Sequence, residues 1–252
     1  MNNFNPFSLV DKRILITGAS SGIGKGIAEI FSAAGAELII TGRNSDRLKK
    51  TIASLNGDNH RLFTGDLTKI EVLEQLVSEI PPLHGVIHSA GIIELIPFKF
   101  ITSEKLEEIM SINFTAPAIL TNKLLKAKKL LPGASVVFIS SITGNEVGTV
   151  GGSVYGASKG ALKGMIKSLA IDLARSKVRV NNVAPGMIET EAIEELETTI
   201  SKEALNEDMK NYPLGRYGNV SDVAYACQYL ISDASIWVTG TTLVLDGGFT
   251  TK

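Results

Sequence analysis

Three features of this 252-residue chain predict a single α/β domain, a Rossmann-like doubly wound parallel sheet with helices on both faces. Short β-branched runs alternate with longer helical patterns from one end to the other, the rhythm of consecutive βαβ units. Most of those runs are almost wholly apolar, as strands covered on both faces must be. The first run ends in a glycine-rich turn that leads directly into a helix, the local design of a phosphate-binding strand–turn–helix.

Taken in order, the strands are expected at Arg13–Thr17, Leu38–Thr41, Arg61–Thr64, Val86–His88, Val136–Ser140, Val178–Val183 and Thr242–Leu245, about seven in all. Between them, apolar residues at helical spacing predict helices over Ile23–Ala34, Ser45–Leu55, Ile70–Ile80, Ser103–Leu131, Tyr155–Arg175 and Val220–Ile231. One stretch breaks the alternation. Met187–Arg216 is acid-rich, with Ile188, Ile193, Leu196, Ile200 and Leu205 forming an apolar stripe. It reads as a helical insertion after a strand. Ligands of open α/β sheets bind beyond the carboxyl ends of the strands, so the insertion is placed to serve as a lid. No linker, repeat or low-complexity tract divides the chain, so residues 1–252 form one domain with a substantial core.

Composition excludes several classes of function. The formal net charge is −1, so no whole-protein field draws the chain to nucleic acid or an anionic membrane. A single cysteine, Cys227, rules out an intrachain disulfide and fits a reducing compartment. Met1–Pro6 has no basic region followed by a long apolar run, and no stretch reaches the ~18 apolar residues of a spanning helix. A cytoplasmic, membrane-free protein is expected. His60, His84 and His88 show no ligand spacing with cysteine or a second histidine, so no metal is expected either.

The first strand runs into Thr17-Gly18-Ala19-Ser20-Ser21-Gly22-Ile23-Gly24. Glycines here let the backbone turn sharply and approach a pyrophosphate, while the following helix offers free N–H groups and its positive dipole end. The spacing Gly-x-x-x-Gly-x-Gly is wider than the common dinucleotide fingerprint. Cofactor choice is read at the end of the second strand, where an acid would bind a ribose 2′-hydroxyl and an arginine a 2′-phosphate. The chain has Thr41-Gly42-Arg43-Asn44, with no acid there. Arg43 offers a planar donor fork suited to phosphate. Asp46 follows Ser45 and belongs to the first turn of the next helix. NADP(H) is therefore expected over NAD(H).

Tyr155 and Lys159 stand four apart at the start of a long helical pattern, so they share a face. A phenol titrates near pH 10, and a neighbouring ammonium favours the phenolate. The pair is a candidate proton donor with its tuner. Asn113 lies inside a helical pattern four residues before Pro117. Proline has no N–H, so the Asn113 carbonyl loses its usual helical donor and is open to another partner such as water.

In this order, from about Leu9 to Gly248, these motifs resemble the short-chain dehydrogenases/reductases: the Thr17–Gly24 loop, Gly65-Asp66-Leu67-Thr68, His88-Ser89-Ala90-Gly91, Asn113, Ser140-Ser141, Tyr155 with Lys159, Pro185-Gly186-Met187-Ile188-Glu189-Thr190 and Leu245-Asp246-Gly247-Gly248. The resemblance implies hydride transfer between nicotinamide and a carbonyl or alcohol carbon. It implies a catalytic set of Asn113, Ser141, Tyr155 and Lys159, with Asn113 holding a water in a proton relay to Lys159. Ser141 is preferred to Ser140 because Ile-Thr-Gly follows it, as in the family's Ser-x-x-Gly. It further implies cofactor contacts at Gly18, Ser20, Ser21, Gly22, Ile23, Gly24, Arg43, Asp66, Leu67, Ser89, Ala90, Gly91, Tyr155, Lys159, Pro185, Gly186, Ile188 and Thr190, with Asp66 on the adenine edge and Ile188 and Thr190 on the carboxamide. Two departures stand out. His88-Ser89 replaces the family's Asn-Asn, which bears on local stability more than on chemistry. The gap from Ser141 to Tyr155 is one residue longer than common, consistent with an insertion in the loop Asn145–Ser153.

The pattern is similar to 3-oxoacyl-acyl-carrier-protein reductases and to the many sugar, steroid and small-ketone reductases that share it, with a 3-oxoacyl thioester as the leading small-molecule carbonyl substrate and acyl carrier protein a candidate partner. The basic residues Lys128, Lys129 and Arg175 would suit that acidic partner, whereas Glu189, Glu191, Glu194, Glu195 and Glu197 would not. The alternatives are an NAD(P)-dependent sugar, polyol or small-alcohol dehydrogenase and a non-catalytic nucleotide-binding relative. Apolar residues in excess of one buried face on the helices 103–131 and 155–175, together with the family's pairing of those helices, imply a homotetramer or a homodimer.

Overall fold

The structure, a computed structural model, describes residues 5–190 and 202–251. The chain runs β1 (Arg13–Thr17), α1 (Gly22–Ala33), β2 (Glu37–Gly42), α2 (Ser45–Ser54), β3 (Arg61–Thr64), α3 (Ile70–Glu79), β4 (Leu83–His88) and α4 (Ser103–Met110). A π-helical turn at Ser111–Thr115 leads into α5 (Ala116–Lys126), then β5 (Leu130–Ile139), α6 (Ser153–Leu173) and β6 (Arg179–Pro185). The remainder is β7 (Ile188–Glu189), α7 (Lys202–Met209), β8 (Gly218–Asn219), α8 (Val220–Ile231) and β9 (Thr242–Leu245). Seven strands form one parallel sheet in the order β3-β2-β1-β4-β5-β6-β9, and β7 pairs with β8 alone.

Strand alternation sorts the core into two layers. Ile14 and Ile16 of β1, Ile87 of β4 and Val137 of β5 face the side covered by α1, α2 and α8. Leu15, Val86, Val136 and Phe138 face the other side, where α3, α5 and α6 pack. All of these residues are fully buried, and each contributes about 1.5–3 kcal/mol by leaving water. Among the described residues no helix is long and apolar enough to cross a membrane.

Strand order reverses between β1 and β4, which leaves a crevice beyond their carboxyl ends. The expected strands at 13–17, 61–64 and 242–245 and the helix at 220–231 match the structure end for end. The helix expected over 103–131 does not. It stops at Lys126, and the chain turns through Lys128, at φ +52°, into β5 at Leu130. The lid expected over 187–216 is described only at its ends: β7 on one side, and α7 with the stem to β8 on the other. Residues 191–201 lie outside the described residues.

Candidate active site

A cleft of about 350 Å³ opens at the switch point between β1 and β4. Gly18, Ser20, Ser21, Gly22, Ile23 and Gly24 form one wall. The turn needs its glycines. Gly18 has φ +71°, and a Cβ there would lie 2.7 Å from the backbone of Ala90. A Cβ on Gly24 would lie 2.4 Å from the Gly18 carbonyl oxygen. The loop is thus folded back onto the start of α1, which puts the first residues of that helix, Gly22, Ile23 and Gly24, in the cleft wall. Thr17 knits the two strand ends together, its hydroxyl accepting from the amides of Ser89 and Ala90 at 3.1 Å each.

Arg43, exposed at the end of β2, also lines the cleft. No acid shares that strand end, where Gly42 packs closely on Ser20: a Cβ there would lie 3.2 Å from the Ser20 hydroxyl. Asp46 falls in the first turn of α2, as expected, and Asn44 caps that helix by accepting from the Arg47 amide. Asp66 accepts from the amide and hydroxyl of Thr68. Burial works against its charge, but those hydrogen bonds and the nearby Arg43 hold its carboxyl below the usual range.

At the other end of the cleft stand Tyr155 and Lys159, on the first turns of α6. Both are buried, at 7% and 6% exposure. Lys159 Nζ donates to the Ile139 carbonyl at 3.0 Å, and burial pulls its pKa down to about 8. Burial also pushes the Tyr155 phenol above its ordinary value, opposed by a hydrogen bond with Ser141. The expected downward pull of Lys159 does not set the net direction, which burial dominates. Both groups sit against the same dry wall, and desolvation there disfavours both charged forms.

Ser141 rather than Ser140 meets Tyr155. The Ser140 hydroxyl contributes to the cleft wall but is committed inside the fold: it donates to the Val183 carbonyl and accepts from Asn182 at 2.7 Å. Asn113 sits in the π-helical turn, where the helix absorbs the donor that Pro117 lacks. Its side chain is fully engaged as well. Asn113 Oδ1 accepts from the Ile92 amide at 2.9 Å, and Nδ2 donates to the Ile92 carbonyl and to Ser158. A Cβ on Gly91 would lie 3.1 Å from both Asn113 Oδ1 and Lys159 Nζ, so Gly91 separates the two groups with backbone alone.

Leu67, Ser89, Ala90, Gly91 and Thr190 complete the cleft, whereas Pro185, Gly186 and Ile188 do not line it. Pro185 instead accepts from the Ile142 amide, Gly186 donates to the Leu245 carbonyl, and Ile188 is buried in β7. His88, at the position of the family's first Asn, stacks on Phe138 with ring centroids 4.6 Å apart and bonds Thr121 through Nε2. Burial pulls its pKa down to about 3, so it is a neutral packing residue at the cleft floor. His84 and His60 accept the amides of Arg13 and Leu38 at strand starts. Two contributors carried no recognisable sequence signal: Asn145, whose amide reaches the Ser141 carbonyl, and Lys163, which holds Asn145.

A glycine cradle at a strand–helix turn, joined across one cleft to a buried Tyr155–Lys159 pair with half-buried Ser141 bonded to the phenol from outside the cleft lining, defines a nucleotide-binding α/β oxidoreductase. The comparisons then set its family. A family model described as enoyl-(acyl carrier protein) reductase matches residues 18–250. The 3-oxoacyl-[acyl-carrier-protein] reductase of Rickettsia felis is 35% identical over 240 residues, covering 95% of this chain and 97% of that one. An NADP-dependent (R)-specific alcohol dehydrogenase of Lentilactobacillus kefiri is 35% identical, with 97% and 98% covered. An NAD-dependent glycerol dehydrogenase of Listeria innocua is 31% identical, with 98% and 96% covered. Among solved structures, a short-chain dehydrogenase/reductase of Brucella melitensis superposes with TM-score 0.89 at 32% identity, covering 97% and 99%. This chain belongs to the short-chain dehydrogenase/reductase family, whose members are oxidoreductases acting on CH–OH or C=O groups.

Proposed function

We propose that this protein is an NADPH-dependent reductase that converts a ketone to a secondary alcohol, with a 3-oxoacyl thioester as the leading substrate. The observation that carries this is the buried Tyr155 bonded to Ser141, with buried Lys159 one turn further along α6. The glycine cradle fits a dinucleotide pyrophosphate, and Arg43 at a strand end without an acid fits a 2′-phosphate. Asp66 and Leu67 would hold the adenine side, and Lys159 the nicotinamide ribose. Of the Pro185–Thr190 stretch, Thr190, which lines the cleft, would flank the ring. When bound, the cofactor supplies the hydride.

The residues' own work is electrostatic and acid–base. Reducing a ketone builds negative charge on its oxygen, and donors aimed there lower the barrier. Ser141 donates one hydrogen bond. Tyr155 donates a second and then its proton. The raised phenol pKa keeps Tyr155 protonated at neutral pH, the form a reduction requires. Lys159, protonated below about pH 8, supports the phenolate that forms. The Asn113 turn would hold a water that returns a proton towards Lys159.

Relatives of about equal identity act, by name, on acyl-carrier-protein substrates, alcohols and glycerol, so the substrate rests on a direct screen. A panel of 3-oxoacyl thioesters, small ketones and sugars, read by NADPH consumption, should show highest kcat/KM on a thioester. A preference for polyols with NAD would favour the dehydrogenase alternative. No turnover of any class would leave a nucleotide-binding relative. Exposed Ile171 on α6 and Leu106 on α4 support assembly through those helices as a homotetramer or a homodimer. Light scattering showing only monomer would contradict it.

A further inference from the structure

We propose that Lys163 and Asn145 are positioning residues that clamp the Ser141 loop onto α6 and so fix the Ser141 hydroxyl against Tyr155. The effect on turnover rests on the ketone-reductase reading; the clamp itself does not. Gly156, Gly160 and Lys163 are spaced to lie along one face of α6, next to the face that carries Tyr155 and Lys159. The loop after Ser141 lies in the groove made by the two glycines. A Cβ on Gly144 would lie 1.9 Å from the Gly156 carbonyl oxygen, and one on Gly160 would lie 2.7 Å from the Gly144 carbonyl oxygen. Backbone on backbone at that distance leaves almost no side-chain contact to resist sliding. A polar anchor has to supply the register.

Lys163 is that anchor. Its Nζ donates to the Asn145 carbonyl at 2.9 Å and to Glu146 Oε1 at 2.6 Å. The Asn145 side chain passes the constraint on, its Nδ2 donating to the Ser141 carbonyl and, at 3.0 Å, to the Ser140 hydroxyl. The opposite amide orientation would set Asn145 Oδ1 against the Ser141 carbonyl, two acceptors facing each other, so the assignment is fixed by its partners. Within the loop, the amides of Asn145, Glu146 and Val147 all donate to the Ile142 carbonyl, and the Gly144 amide to Val147. The turn therefore moves as one piece, and Lys163 holds that piece to the helix that carries the acid. An exposed Lys–Glu pair alone would contribute little. The carbonyl hydrogen bond and the amide relay distinguish this one.

The test uses full-length Lys163→Met and Lys163→Arg, each in the native and the Ser141→Ala background. In Lys163→Met, the amides of Gly144 to Val147 should exchange hydrogen about tenfold faster or more, while the interior of α6 is unchanged. Turnover should fall roughly ten- to a hundredfold, because a displaced donor loses alignment rather than binding. KM and NADPH affinity should stay within about threefold, Lys163→Arg should recover most of the rate, and the added loss in Ser141→Ala should be under about threefold. Unchanged loop exchange in Lys163→Met would overturn the clamp. Equal losses of rate in both backgrounds would overturn its action through Ser141. A native protein that reduces no carbonyl would sink the ketone-reductase reading, while the exchange data would still decide the clamp.

Discussion

Lys159→Met gives a direct reading of how dry the site is. Burial lowers the Lys159 pKa from 10.5 to about 8. At ~1.4 kcal/mol per unit, the folded state carries an ammonium penalty of about 3 kcal/mol. The sign follows from linkage. A depressed lysine pKa means that the unfolded chain binds more protons between about pH 8 and 10.5. The penalty is therefore full below pH 8 and disappears as pH rises through that window. Methionine carries no such penalty at any pH. The unfolding free energy of the native protein relative to that of Lys159→Met should thus rise by about 2 kcal/mol from pH 7 to pH 10. Repeating the pair in the Tyr155→Phe background removes the titration of Tyr155, which is coupled to Lys159; the remaining titrating groups are common to both chains and cancel in the difference. Urea unfolding of the two proteins without cofactor at pH 7, 8, 9 and 10 measures it. A difference that is flat across those pH values would refute the dry setting of Lys159.

Two further substitutions probe the cleft ends. Asn113→Ala removes three hydrogen bonds to Ile92 and Ser158 and should destabilise the protein by about 2 kcal/mol or more in urea unfolding, since the partners are left unpaired. Arg43→Ala should weaken NADPH binding roughly ten- to a hundredfold, the worth of a charged hydrogen bond, and leave NADH binding unchanged by fluorescence titration.

The sheet was legible because its strands are buried on both faces, so runs such as Arg13–Thr17 stand out without neighbours to help. The helix ends were legible where turn chemistry marks them, as at Asn219, which caps α8 in a capping box with Asp222. The stretch Lys126–Leu131 carries no glycine or proline, so nothing in the sequence announces the left-handed turn at Lys128 or the start of β5. Proline 117 did announce a disturbed helix, though not that the disturbance would be a π-helical turn. In the site, spacing revealed Tyr155 and Lys159 as neighbours on one face. Spacing carries no measure of desolvation, so it favoured the charge of Lys159 as the tuner where burial dominates both groups. Asn145 and Lys163 were invisible for a related reason. Their roles depend on where a glycine-seated loop lands on α6, which is a tertiary fact.

The most direct test of the central claim is Tyr155→Phe, with turnover and cofactor binding measured side by side. Loss of the proton donor should abolish ketone reduction while NADPH binds within about threefold of the native protein, because the phenol acts in the transition state rather than in binding. Reduction at close to the native rate would show that the proton comes from elsewhere, and the assignment built on that buried hydroxyl would fall.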